Sequence, residues 1–344
     1  MSSAPRQQLA ASAGLESLLP LIAAKGGNVS PSEFQAAVNR VFHSHEAAVY
    51  DRIHEEMKVT LPRQFGALVS AFLARYSFST PLRVLDIGCG TGLSAELLLQ
   101  TPLANSVAQI DLLDTSDEML KQCGERPALS KVNRQLIHGT IEDLRPEPVY
   151  DVILTCSVLH HIPDLQNLFR QIRRRHRAGG MFLHLQDPNG DFMHDPELRQ
   201  RTERFERTQH PTSWIKRVKP KRVWRKMKAT FTGQQPQSYI DLVNQDLLRE
   251  KVIVEPLTDN ELWSVTDIHI YNGQGISLGT VKRHLPGYEL TFNQSYSFFG
   301  TMYSELPPRY QREEDRLQQQ GALNGLHVAA VWRNMRSADG GNEA

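Results

Sequence analysis

The stretch RVLDIGCGTGLSAELLLQ, residues 83–100, constrains this chain more than any other: a β-rich run meets Gly88, Gly90 and Gly92, and a good helix former follows at once. It predicts a strand, a tight turn and a helix. Glycine is required where the backbone turns sharply and approaches a ligand more closely than a Cβ allows. The helix start beyond it offers free N–H groups and positive potential. Around this unit, short apolar runs alternate with helix-like segments: RVLDIG, AQIDLLD, RQLIHG, YDVILTC and GGMFLHLQD. That alternation predicts an α/β fold with a doubly wound, mostly parallel sheet covered on both faces. YELTFNQSYSFFG and GLHVAAVWRN add two late strands, making seven.

The flanks have a different texture. Residues 1–80 read as a helical N-terminal cap, with Leu15, Leu18, Leu19 and Ile22 on one face, Ser30 as a helix cap answered by Glu33, and Pro31 in the first turn. The sheet core spans 81–190, and 191–265 is polar, charged and broken by Pro211, Pro220 and Pro236, as expected of a helical insertion or lid. Residues 266–335 carry the strands that complete the sheet, and 336–344 have the composition of a disordered tail.

The glycine spacing separates the ligands such a turn can hold. Dinucleotide sites use GxGxxG to seat a pyrophosphate, whereas these glycines fall as GxGxG, with Asp86 two residues ahead of the first. A carboxylate there disfavours a pyrophosphate and favours the ammonium of a methionine moiety. Asp114 ends the next apolar run, where a carboxylate accepts both ribose hydroxyls, while its competitor Asp111 sits inside the strand. Asp114 could instead cap the following helix with Thr115 and Ser116. Met119, one turn on, is placed to flank an adenine or to fill the core.

In this order and at these separations, VLDIGCGTG, DTSDEML, GTIEDL and YDVILTCSVLHHI resemble the class I S-adenosylmethionine-dependent methyltransferase family of small-molecule type. The resemblance covers residues 84–187. It implies a Rossmann-like core, S-adenosylmethionine as cofactor, and methyl transfer by in-line displacement to an O, N or C nucleophile. It implies that Asp86, Gly88, Cys89, Gly90 and Gly92 wrap the methionine and sugar and that Asp114 holds the ribose. Ile141 and Glu142 would border the adenine, and Cys156 and Ser157 would lie under the sulfonium. Tyr50 resembles the tyrosine of an N-terminal Tyr-Asp element that closes over the cofactor. Thr140 stands where many relatives have an aspartate.

The acceptor is expected to be a small molecule enclosed by cap and lid. The loop after the fourth strand, TCSVLHHIPD, lacks the Asn/Asp-Pro-Pro-aromatic motif of enzymes that methylate base amines in DNA. Cys156 reads as a pocket-lining thiol rather than a nucleophile. His160 or His161 is a candidate general base, because imidazole titrates near neutrality; the alternative is one histidine packed under the sheet and the other bonded at a helix start. Asp187, at the end of HLQD, is the third catalytic candidate, with His184 and Gln186 beside it. His269 and Tyr271 come from the late region. These histidines lack zinc-type spacing, so no metal is expected.

Lys and Arg number 39 against 38 Asp and Glu, a net charge of +1, so no global field calls for nucleic acid or a membrane surface. The segment 214–228, WIKRVKPKRVWRKMK, is the local exception. As a docking patch it makes a methyltransferase of RNA or another macromolecule the alternative; as a solvated lid helix it has no partner. A non-catalytic S-adenosylmethionine-binding protein is a further alternative. The GxGxG spacing disfavours a nicotinamide-dependent oxidoreductase. Three unpaired cysteines and the lack of a long apolar run fit a cytoplasmic chain with no membrane span, and nothing sets an oligomeric state.

Overall fold

The computed structural model describes residues 15–78, 81–147, 149–209 and 239–336. Four helices come first: α1 (Leu19–Lys25), α2 (Pro31–Glu46), α3 (Tyr50–Ile53) and α4 (Glu55–Leu73). The core follows as β1 (Leu82–Ile87), α5 (Leu93–Leu98), β2 (Val107–Asp114), α6 (Asp117–Glu125), β3 (Asn133–His138), β4 (Tyr150–Cys156), α7 (Leu165–Arg175) and β5 (His176–Pro188). Next come α8 (Pro196–Gln209), α9 (Tyr239–Arg249), α10 (Asp259–Thr266), α11 (Ile268–Tyr271) and α12 (Leu278–His284). β6 (Tyr288–Tyr296), α13 (Pro308–Gln319) and β7 (His327–Asn334) close the chain.

One seven-stranded sheet runs in the order β3-β2-β1-β4-β5-β7-β6. The first five strands pair in parallel, and β7 inserts antiparallel between β5 and β6. Strand order reverses beside β1, which puts the crevice for a ligand at the carboxyl ends of β1 and β4.

The two faces of the sheet follow from alternation along each strand. Val84, Val152 and Leu183 pack against α4 and α5, with Leu61, Phe65, Leu68 and Leu97. Their neighbours Leu85, Ile153 and Phe182 face α7 and α12, with Leu168, Phe169, Ile172 and Val281. All of these but Leu97 and Leu168 are wholly buried, each large apolar side chain contributing roughly 1.5–3 kcal/mol of transfer free energy. β3 is the exposed edge, its NRQ start polar as an edge requires.

A third apolar cluster joins segments far apart in the chain. Phe34, Val38, Val41 and Phe42 of α2 pack on Ile240, Val243 and Leu247 of α9 and on Leu262 and Val265 of α10. α2 starts with the expected capping box, Ser30 Oγ accepting from Glu33 N–H and Glu33 bonding back to Ser30. Leu18 joins this cluster, but Leu19, expected on the same face, is 49% exposed: it opens α1 and turns outward. The 191–265 stretch divides. α9 and α10 cover α2, whereas Phe205 of α8 packs with Phe298, Phe299 and Tyr310 beyond β6. No described helix is long and apolar enough to cross a membrane.

Candidate active site

A cavity of about 390 Å³ opens where the carboxyl ends of β1, β2 and β4 meet the cap. Ten of the twelve cofactor residues expected from the sequence line it: Tyr50, Gly88, Cys89, Gly90, Asp114, Met119, Ile141, Glu142, Cys156 and Ser157. Gly88, at φ +65°, has no room for a side chain, since a Cβ would fall 2.6 Å from a Val158 methyl. Ser157 sits at φ +61° directly after β4, a strained conformation for a non-glycine residue and one that marks functional turns.

Asp114 is fixed by the turn it faces. Its Oδ2 accepts from Gly90 N–H at 2.8 Å and its Oδ1 from Ser116 N–H at 2.9 Å. Burial lifts its carboxyl above the ordinary range, opposed by those backbone donors. The helix cap that competed for this role is Ser116, whose hydroxyl accepts from Met119 N–H.

Two cofactor candidates stand behind the wall rather than on it. Asp86 is wholly buried and accepts from the Ser94 hydroxyl of α5, while its Oδ1 has no partner. Burial pushes it up to about 7, and the negative Asp114 adds to that. Gly92 caps α5 at φ +84°, with Cys123 and Leu129 so close that a Cβ would clash. It lets helix and sheet pack tightly and touches no ligand space.

Of the three catalytic candidates, only His161 reaches the cavity. Asp187, expected to face it, is fully buried and bonds His160: Oδ1 lies 2.8 Å from Nδ1 and accepts His160 N–H at 3.2 Å. The cause is local. Gln186 takes φ +66° and the β5–β7 register shifts there, so the alternation that would aim Asp187 at the cavity is broken. Burial would lower His160, but Asp187 outweighs it and raises the imidazole. His161 is driven well below its ordinary value by burial and by the neighbouring His160 and His43. His160, His161 and Asp267 present donor atoms within 4.8 Å of one another. Both Nδ1 atoms are already committed, to Asp187 and to the Thr266 carbonyl at 2.8 Å. His269 bonds the Ile162 carbonyl at 2.8 Å, His184 is buried in the sheet, and Tyr271 is partly exposed; none of them lines the cavity.

Several residues of the site escaped sequence reading. Gln35, Asn39 and His43 bring α2 to the cavity, and Thr140 lines it too, its N–H donating to Asp143 at 2.7 Å. Gln35 Nε2 donates to the His161 carbonyl at 2.8 Å. Arg126 ties cap to turn, donating to Asp51 Oδ2 and Glu96 Oε2 and from Nε to the Thr91 carbonyl, each at 2.6 Å. The Thr91 hydroxyl donates to Asp51. Asp51 follows Tyr50, so the suspected Tyr-Asp element is anchored by its aspartate. The basic segment 214–228 lies outside the described residues.

Comparison with known proteins bears on the sheet core. Residues 85–182 match the family model described as a methyltransferase domain. The sheet core is a methyltransferase domain. The ubiquinone biosynthesis O-methyltransferase of Rickettsia felis is 24% identical to it over 122 residues, 36% of this chain and 48% of that one. Malonyl-[acyl-carrier protein] O-methyltransferase 2 of Ilyobacter polytropus is 34% identical over 101 residues, 29% of this chain and 37% of that one. The chain thus spans about half or less of the curated relatives it matches. A plantazolicin methyltransferase solved with SAH aligns over 89% of this chain and 97% of its own, at 16% identity and a TM-score of 0.42.

Proposed function

We propose that the protein uses S-adenosylmethionine to methylate a small molecule enclosed between the methyltransferase domain and the helical cap. The observation that carries this reading is the buried carboxylate of Asp114 at the glycine turn. Asp114 faces the cavity with only backbone donors on its two oxygens. Buried carboxylate oxygens call for donors or a cation. S-adenosylmethionine fits that demand with ribose hydroxyls, an ammonium and a sulfonium, and it supplies an electrophilic methyl group at the last of these.

The protein's own contribution is then positional. Asp114 holds the ribose, Met119 and Ile141 enclose the base, and the Gly88–Gly90 backbone approaches the methionine. Cys156 and Ser157 floor the site where transfer occurs. Burial raises the Cys156 thiol well above its ordinary value, which keeps it neutral and supports a lining role instead of a nucleophilic one. The His160–Asp187 pair lies off the wall and orients the loop that carries His161. The cap-covered cavity favours a small acceptor over a macromolecule. Mass-resolved screening of a metabolite extract supplied with S-adenosylmethionine is expected to reveal products heavier by one methyl group; no such product from protein that binds the cofactor would overturn the reading.

A further inference from the structure

The cap helix α2 delivers an imidazole to the cavity. His43 lines it from α2, with Nδ1 3.1 Å from Glu46 Oε2 one turn on. Its Nε2 is buried and has no hydrogen-bond partner. Glu46 is 3% exposed and also faces His54 Nε2 at 3.5 Å. Burial alone would raise the Glu46 carboxyl, but the two histidines outweigh it and hold it at about 2. An ionised Glu46 accepts the Nδ1 proton of His43, which leaves a lone pair on Nε2.

The other groups around His43 come from every element packed on it. The His161 ring stands 5.0 Å away on the loop after β4. Asp114 at the end of β2 and Asp267 after α10 lie within its electrostatic reach. His54 stands beyond Glu46, which together with Glu56 outweighs burial and pushes that imidazole up to about 9. His54 is therefore the cation that partners Glu46 near neutrality, and His43 is the imidazole that faces the cavity. Among the described residues, the wall contains no Lys or Arg, while Asp114, Glu142 and Asp164 all lie on it. Among the described residues, a cavity so lined offers an anionic acceptor no Lys or Arg counter-charge.

Resting on the methyl-transfer reading, we propose that His43, oriented by Glu46, takes the proton from the acceptor's nucleophile, and that the acceptor is a neutral molecule with an O–H or N–H group rather than a carboxylate. The X–H bond breaks, its proton bonds to Nε2, and the electron pair left on X is the one used to form the new bond to carbon, while the methyl carbon's bond to the sulfonium would break with its pair going to sulfur. The imidazolium is then held against the Glu46 carboxylate.

Two measurements test this. In long-range proton–nitrogen NMR of the protein saturated with S-adenosylhomocysteine, with the His43→Gln variant used for assignment, His43 is expected to carry its proton on Nδ1. A proton on Nε2 overturns the proposal. In parallel, methyl label from S-adenosylmethionine is followed into a small-molecule extract. His43→Gln is expected to lose about 100-fold or more of the rate at pH 7, with cofactor affinity unchanged, and to recover as rising pH ionises the acceptor unaided. The label should resist mild alkali. Transfer within threefold of wild type at pH 7, or label released as methanol from an ester, overturns the proposal. Wild-type protein that binds cofactor yet transfers nothing contradicts the methyl-transfer reading, and His43 is then judged on the NMR result alone.

Discussion

The two walls of the cavity are built in different ways. The glycine-turn wall is local: Gly88, Gly90, Asp114 and Ile141 all belong to strand-end turns of the same sheet, and backbone N–H groups position the main carboxylate. The cap wall is assembled from afar. α2 reaches the cavity only because α9 and α10, some two hundred residues later, pack behind it, and Arg126 fastens the next helix, α3, to the turn through Asp51, 75 residues away. A cofactor is shared by many enzymes and suits a fixed, backbone-made socket. An acceptor is particular, and its wall rests on side chains that a different cap would replace.

That contrast can be broken by experiment, and the largest effect should come from the cap's core. Phe34 is wholly buried between α2 and its partners, so Phe34→Ala is expected to cost ~3–5 kcal/mol in the denaturant transition that reports the cap. If cap and sheet unfold separately, the sheet transition stays in place; one shared shift would mean that they form a single cooperative unit.

Gly88→Arg attacks the other wall. With φ +65° and Val158 at 2.6 Å, it should weaken cofactor binding by about 100-fold or more, ~2.7 kcal/mol, with the cap transition unmoved. Arg126→Ala tests the tie between the walls: losing its bonds to Asp51, Glu96 and Thr91 should lower cofactor affinity by about tenfold, ~1.4 kcal/mol by calorimetry.

The walls should also respond differently to pH. Asp86 rises from 3.8 to about 7 on folding, so the folded state holds a proton that the unfolded chain has lost, and stability falls as pH climbs through that window. Affinity for a cationic ligand should climb over the upper part of it, and Asp86→Asn should flatten both slopes. In the cap, Glu46 drops from 4.5 to about 2, so its contribution is present above 4.5 and lost toward 2. His54 rises from 6.5 to about 9, so its contribution is present below 6.5 and lost as pH passes 9. A cap transition as flat as that of Glu46→Gln across the acid window would contradict this assignment. The smallest effect is expected for Leu19→Ala, at ~0.5 kcal/mol or less, since that side chain lies outside the cap's core.

The same contrast explains what was legible in the sequence. Strand periodicity and glycine spacing are local signals, so all seven strands and Asp114 could be read directly, and Ser30 with Glu33 marked the start of α2. Asp187 was misread because period-two alternation fails where Gln186 adopts a left-handed conformation, and no residue type there announces it. Asp86, expected to wrap the methionine and sugar, lies one layer deeper, behind the cavity wall, its position set by Ser94 eight residues on. His43, Gln35 and Arg126 carried no signal at all. Their roles come from contacts between segments that nothing in a linear pattern connects.

If Asp114 and the glycine turn form a socket for S-adenosylmethionine, calorimetric titration with that compound will separate wild type from Asp114→Ala. Wild type is expected to bind saturably at one site and the variant at least tenfold more weakly, because two charge-assisted hydrogen bonds to the ribose disappear. Equal affinity in the two proteins, or no binding by the wild type, would contradict it.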